Sequence, residues 1–219
     1  MIGVNAVDNN LKSVINKQVE RTMNNLVKNN MMAIYVENRD QVVDKVAELI
    51  KEGELVAAGG SMTLAETGVL EHLKAGHYNF LDRHAKGLTR EQIEEIYRKS
   101  FFADTYLTST NAITEDGELY NVDGNGNRVA AMIYGPKSVI VVAGINKIVR
   151  NEDEAVERVR RIAAPANAVR LNKDTPCTKT GYCVDCRVDD RICSSYTVFR
   201  QQKYKDRIKV ILVGESLGY

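Results

Sequence analysis

The feature that most constrains this chain is a repeated switch between helical and strand-like hydrophobic patterns. From residue 8 to 30, Leu11, Val14, Ile15, Val19, Met23, Leu26 and Val27 recur at three- and four-residue steps, which predicts an amphipathic helix. Met31–Val36 is then a short apolar run with strand character. Asn38 can cap a helix carrying Val42, Val43, Val46, Leu49 and Ile50, stopping near Gly53. Leu55–Ala58 reads as a strand, followed by a helix over about 63–74, a strand at 79–81, a helix capped by Thr89 with Gln92 at the box position, and a strand at 105–109. Helix and strand alternating at roughly 25-residue spacing predicts a parallel sheet with helices on its faces.

The second half departs from the alternation. Residues 111–114 and 118–122 flank Glu115-Asp116-Gly117, a hairpin turn sequence. Asp123-Gly124-Asn125-Gly126-Asn127 is a second loop built from residues that tolerate positive φ. Val139–Ala143 is β-branched and uninterrupted, as a central parallel strand should be. A charged amphipathic helix over 152–163 has Asn151 as its cap and Glu154 at the box position. Strands near 196–199 and 208–213 close the chain. The expectation is a single α/β domain over 1–219, with an open, mostly parallel sheet flanked by helices, a β-hairpin excursion and a C-terminal Cys-rich loop. The length of 219 residues suffices for a core without disulfides.

Several function classes are disfavoured. The charges nearly cancel, 30 basic against 29 acidic, so there is no electrostatic footprint for nucleic acid. The longest apolar stretch, Ser138–Ile145, is far below a membrane span of ~20 residues. Met1–Asn10 has neither the basic nor the apolar region of a secretory signal. All four cysteines fall between Cys177 and Cys193, whereas a secreted disulfide scaffold would scatter them. Confinement to one segment reads as reduced thiols or a metal site in the cytoplasm.

The spacing of Cys177, Cys183, Cys186 and Cys193 is C-x5-C-x2-C-x6-C. Cys183 and Cys186 form a C-x-x-C pair able to face one metal, and the outer two can complete four sulfur ligands. Structural zinc usually shows two tight pairs, while iron–sulfur clusters allow varied spacings. A redox pair, or four thiols packing a loop, are the alternatives. Residues 175–195 lack apolar periodicity and are expected to be an appendage on a complete core.

The other candidates lie on loops. Gly59, Gly60 and Ser61 join a strand to a helix, where free N–H groups suit a phosphate or carboxylate, with Ser61 and Thr63 as added hydroxyl donors. An ordinary capped turn is the alternative, since the Walker lysine and the full dinucleotide fingerprint are missing. Glu115, Glu118, Asn121, Asp123, Asn125 and Arg128 can carry polar groups to the same ligand, or be solvated turns. Glu66 is expected to complete a capping box with Thr63, or to be a buried acid facing the Gly59 turn. His72, His77 and His84 show no catalytic pairing, and no residue is assigned to catalysis. Lys147 is expected to be exposed, with the alternative of neutralising an anion.

Three stretches carry a family resemblance: Gly59–Gly68, Asn111–Leu119 continuing through Asn121–Arg128, and Tyr134-Gly135-Pro136-Lys137 leading into Val139–Gly144. Together they resemble the lactate-utilisation (LUD) domain family, and within it a stand-alone branch ending in a Cys-rich segment. The resemblance implies a fold of the glucosamine-6-phosphate deaminase, ribose-5-phosphate isomerase and CoA transferase group. It also implies a link to bacterial lactate oxidation alongside iron–sulfur and other partner subunits. CoA transferases of that group form an acyl adduct on a glutamate, for which Glu118 or Glu115 would be the neighbourhood here, though no matching motif is legible. Fold alone does not assign a reaction. Three readings remain open: a site for a small anionic metabolite, an accessory protein of a redox system docking a partner through a zinc or iron–sulfur Cys segment, and a regulatory module without turnover. Self-association is open in each.

Overall fold

The computed structural model describes residues 8–219; the N-terminal stretch judged to lack a signal therefore lies mostly outside the described residues. Helix α1 (Asn9–Lys28) starts at Asp8, whose carboxylate accepts from the N–H groups of Asn10 and Leu11. Strand β1 (Met32–Val36), helix α2 (Val42–Leu49) and strand β2 (Leu55–Ala58) follow as expected. Helices α3 (Met62–Glu66) and α4 (Val69–Lys74) replace the single helix expected over 63–74. The break is at Gly68, whose φ of 72° is left-handed and incompatible with helix continuation. Strand β3 (Asn79–Leu81), helix α5 (Arg90–Lys99) with its Thr89–Gln92 capping box, and strand β4 (Thr105–Thr108) complete the alternating half.

In the second half, β5 (Ala112–Thr114) and β6 (Leu119–Asp123) form the antiparallel hairpin. Helix α6 (Asn127–Ile133) was not legible in the sequence; it begins inside the Gly- and Asn-rich loop, where Asp123 accepts from the N–H groups of Arg128 and Val129. Strands β7 (Ser138–Gly144) and β8 (Ile148–Val149) follow. Helix α7 (Glu152–Arg158), capped by Asn151, runs through a π turn at Val159–Ala163 into α8 (Ala164–Arg170). The expected helix is therefore about two turns longer, because Pro165 sits near the start of α8, where no intrahelical N–H is needed from it. A short helix α9 (Pro176–Thr180) and strands β9 (Ser195–Phe199) and β10 (Ile208–Val213) end the chain.

The strands form two sheets. The larger is six-stranded, in the order β1-β10-β7-β4-β2-β3, and every pairing in it is parallel. The smaller, β8-β5-β6-β9, holds the hairpin at its centre. Strand β7 explains why the larger sheet sits inside. Val139, Val141 and Ala143 pack into one apolar cluster with Leu26 of α1 and Met132 of α6. Ile140 and Val142 pack into another with Val42 and Val46 of α2 and Leu64 of α3. Alternate side chains thus enter opposite cores, and both faces are covered. Among the described residues no helix is long and apolar enough to cross a membrane.

The hairpin turn docks on α1. Arg21 Nε donates to Glu115 Oε2 at 2.8 Å, Asn25 to Glu115 O at 2.8 Å, and Asn29 to Asp116 O at 2.9 Å. Gly117 lies against the helix backbone: a Cβ there would stand 2.5 Å from Asn25 C and Leu26 N, at a φ of 78°. Gly117→Ala is expected to lower stability by about 2 kcal/mol, by adding a backbone clash to the left-handed penalty. Gly53→Ala, at a φ of 79° with nothing within 4 Å, should cost about 1 kcal/mol. Urea midpoints of the two variants check this ordering.

Candidate functional site

Because the six strands run one way, their carboxyl ends deliver loops to one edge, where ligands of such sheets usually bind. There Gly60 and Ser61 follow β2, Arg83 follows β3, Ser109 and Thr110 follow β4, and Lys147 follows β7. They line one cavity of about 710 Å³ together with Asp123, Asn125 and Arg128 of the β6–α6 loop, Arg170 of α8 and Tyr219. The remaining wall is Lys173 and Asp189–Ile192 of the Cys segment.

Lys147 lies on this cavity and is only 2% exposed, the opposite of the surface lysine expected. Its Nζ is 3.0 Å from Thr63 Oγ1 and 2.9 Å from Ser109 Oγ. Among the described residues no carboxylate lies within ion-pair distance of it. Burial, and then the Arg158 and Arg128 guanidinium groups, push its pKa from 10.5 down to about 7. Arg83 and Arg170 also lack a carboxylate partner among the described residues. Arg83 stacks over Tyr97 at 4.9 Å, and Arg170 donates to Asn167 at 2.8 Å. By contrast, Lys173 pairs with Asp190 and Arg191 with Asp185. The Tyr219 hydroxyl is buried with no hydrogen-bond partner.

Arg128 fixes the opposite wall. Its Nη1 donates to Ser109 O at 3.1 Å and to Asn121 Oδ1 at 2.6 Å; its Nη2 donates to Val122 O at 2.9 Å and to Asn111 Oδ1 at 3.2 Å. Asp123 Oδ1 lies 3.7 Å from its Nε. The guanidinium is thus held by acceptors from β4, the hairpin and its own loop.

The sequence candidates divide into three groups. Gly60, Ser61, Thr63, Asp123, Asn125 and Arg128 line the cavity. Gly59 and Asn121 stand behind it: a Cβ on Gly59 would meet Tyr106 Oη at 3.0 Å and Arg128 Cδ at 3.1 Å, and Asn121 is buried under Arg128. Glu66, Glu115 and Glu118 are not on the lining. Glu66 accepts from the Gly218 N–H at 2.8 Å rather than closing a capping box; Ser61, not Thr63, caps α3 through the Leu64 N–H. Glu115 is bound to Arg21, while Glu118 meets Thr114 and Arg200, so the glutamate-adduct neighbourhood does not reach the cavity. Ser61 Oγ accepts the cap bond from the Leu64 N–H and keeps its own hydrogen, whereas Thr63 Oγ1 accepts from Lys147 and donates to Leu217 O. Arg83, Ser109, Arg170 and Tyr219 were missed. They are single polar residues at element ends, and only the three-dimensional convergence distinguishes them from surface residues. For Lys147 a signal was present: it interrupts the apolar run Val139–Val149 directly after the central strand.

Cys177, Cys183, Cys186 and Cys193 all line one small cleft, about 10 Å³, together with Thr175 and Arg191. All four are free thiols. Asp185, at a φ of 50°, donates its N–H to Cys183 Sγ at 3.3 Å, and the Thr175 hydroxyl stands 3.2 Å from Cys177 Sγ. Burial pushes the Cys193 thiol up, against the pull of Arg191. Among the described residues no group of three or more Cys, His, Asp or Glu is arranged as metal ligands. The segment is docked: Cys183 N–H donates to Arg160 O at 3.0 Å and Ser194 N–H to Asp123 O at 2.9 Å.

An unpaired buried ammonium opposes folding, so Lys147→Met is expected to raise stability by about 1–4 kcal/mol. The sign with pH follows from the depressed pKa. Below pH 7 the native lysine carries its buried charge and the gain is fullest. Between pH 7 and 10.5 the native amine is neutral while the unfolded one is still protonated, so the gain shrinks as pH rises. Denaturant titrations of wild type and variant at pH 6 and pH 9 check both magnitude and slope.

Comparison with known proteins gives the following. Among solved structures, a DUF162 family protein from Deinococcus radiodurans has a TM-score of 0.51 at 16% sequence identity, over 92% of this chain and 98% of that one. The eIF2B beta subunit from Chaetomium thermophilum has a TM-score of 0.37 at 16% identity, over 53% of this chain and 44% of that one. The tetrameric eIF2B-beta2-delta2 complex from C. thermophilum has a TM-score of 0.44 at 15% identity, over 98% of this chain and 65% of that one. The Deinococcus structure shares the fold. No curated protein sequence matches. The family model of the LUD domain matches residues 19–213, and on that match the chain belongs to the LUD domain family, the lactate-utilisation family its motifs resemble.

Proposed function

We propose that the cavity binds a small anionic metabolite, a carboxylate or phosphorylated compound, in a role linked to lactate or related redox metabolism. The observation that carries this reading is the presence of two guanidinium groups, Arg83 and Arg170, that share one cavity with the buried Lys147 amine and have no carboxylate partner among the described residues. A bound anion would offset charges that are otherwise uncompensated. The Gly60 backbone borders Arg83: an added Cβ would stand in ordinary van der Waals contact, 3.5 Å from its Nη2. Calorimetric titration with inorganic phosphate, pyruvate and lactate tests the proposal. Binding should weaken at high salt, and Arg83→Ala or Arg170→Ala should each weaken it by about tenfold or more. Absence of binding by every such anion, with the protein folded, would remove the reading.

A second reading is favoured by the common cleft of the four cysteines. The donor chemistry suits a thiophilic ion, and Arg191, beside the cleft, suits a thiolate set of negative charge. We propose it as a zinc or iron–sulfur site that docks a redox partner, with no step of any reaction routed through it. Four unbridged thiols accord with a reducing cytoplasm. Anaerobically prepared protein should contain zinc, or iron with acid-labile sulfide, and Cys183→Ser with Cys186→Ser should abolish it. Metal-free protein with four titratable thiols would leave the cysteines as a packed loop.

A further inference from the structure

We propose that Lys147 is a nucleophilic amine that forms an imine with an anionic carbonyl compound held in the cavity, the class being 2-oxo acids and phosphorylated aldehydes or ketones. The proposal rests on the anion-binding reading and deepens it.

The geometry around Nζ carries the argument. A neutral amine has two hydrogens and one lone pair. Nζ has two hydroxyl neighbours, Thr63 Oγ1 at 3.0 Å and Ser109 Oγ at 2.9 Å. Each hydroxyl has an acceptor for its own hydrogen, Leu217 O and Thr110 O, both at 3.4 Å, and so presents a lone pair to the amine. The two N–H groups are therefore matched by two acceptors, and the nitrogen lone pair remains for the cavity. An ammonium would carry a third hydrogen with no third acceptor among the described residues. Burial beside Arg158 and Arg128, without a carboxylate at ion-pair distance, favours the neutral form further.

The step balances within this site. The Nζ lone pair attacks the carbonyl carbon and a C–N bond forms. Both amine hydrogens pass to the carbonyl oxygen by way of solvent water in the cavity, while the Thr63 and Ser109 hydroxyls orient the amine. The C–O bond breaks, water leaves and a C=N bond remains. No oxidant or second reactant is required. Arg83 and Arg170, on the same cavity, are placed to hold the anionic end of the compound. At pH 7 a lysine with a pKa of about 7 is half neutral, whereas a surface lysine is neutral in only about 1 molecule in 2,500.

Reductive trapping tests the proposal. The intact protein is incubated separately with pyruvate, glyceraldehyde 3-phosphate and acetaldehyde in the presence of cyanoborohydride, and adducts are located by peptide mass mapping. The expected result is one dominant adduct on Lys147 with an anionic probe, formed at a rate that rises through pH 7 and levels off. Pyruvate and glyceraldehyde 3-phosphate distinguish the 2-oxo acid from the phosphorylated arm. Lys147→Arg should lose the adduct, with folding of the variant checked by its urea transition. Label spread over surface lysines with Lys147 unmodified overturns the imine. If phosphate binds calorimetrically in that case, the anion cavity survives and only the imine fails. A Lys147 adduct formed equally fast with acetaldehyde would support the nucleophile and overturn its anionic substrate class.

Discussion

The buried Arg128 guanidinium is the joint on which the cavity's geometry depends. It is bound by Ser109 O at the end of β4, by Asn111 and Asn121 of the hairpin strands, and by Val122 O. One side chain thus ties the smaller sheet to the carboxyl edge of the larger one. A buried cation is tolerated when its hydrogen bonds are made and its charge is offset; here the four acceptors meet the first need and Asp123, 3.7 Å from Nε, the second. The same carboxylate caps α6 through the Arg128 and Val129 N–H groups. Loop, helix and guanidinium therefore form one unit, which places Asp123 and Asn125 opposite the Gly60 turn. Lysine could not replace the arginine, because a single ammonium cannot reach acceptors spread along a planar fork.

Set against Arg128, Lys147 lacks what keeps a buried charge satisfied. Both are nearly out of solvent, but Arg128 has a carboxylate and four acceptors while Lys147 has two neutral hydroxyls. Two cations that share a cavity edge also repel, and the Arg128 and Arg158 charges help depress the Lys147 pKa. A fold selected for stability alone would replace such a lysine with an apolar residue of similar volume. Its presence on the wall of a polar cavity is a local inconsistency of the kind that marks functional sites.

Most of the architecture was legible because it rests on periodicity. Strand β7 is apolar on both faces, and α1 carries an apolar stripe; neither pattern depends on distant partners. The hairpin was legible from Glu115-Asp116-Gly117, and its docking on α1 explains why a glycine is needed at 117. Legibility failed where long-range contacts decide. Helix α6 has only seven residues and is started by an aspartate four residues upstream of its first residue, outside any N-cap spacing. The helix over 63–74 was read through Gly68, since a single glycine does not by itself break a helical pattern. At the site, the glycine turn and the Asn-rich loop announced themselves by composition. Glu66 and Thr63 show the reverse failure: their capping-box spacing is real, but Glu66 is drawn to the Gly218 N–H and Thr63 to Lys147, contacts spanning 152 and 84 residues that no local rule contains.

The Cys segment illustrates how a region without periodicity can still be part of the fold. β7 and β10 pair directly along six residues of each, so the large sheet needs nothing from residues 175–195 to close. The small sheet and cavity do depend on what flanks them: Ser194 donates to Asp123 O, and β9 pairs with β6 immediately beyond the last cysteine. Arg191 is the connecting element. Its guanidinium donates to the carbonyl oxygens of Cys186 and Cys193 and to Asp185, and the same residue lines both the thiol cleft and the large cavity. Two of those acceptors are backbone atoms of Cys186 and Cys193, so the position of Arg191 is set by the backbone that carries these two thiols. The thiol cleft and the large cavity therefore share one side chain in their walls, although 39 positions separate Cys186 from Lys147 in the chain.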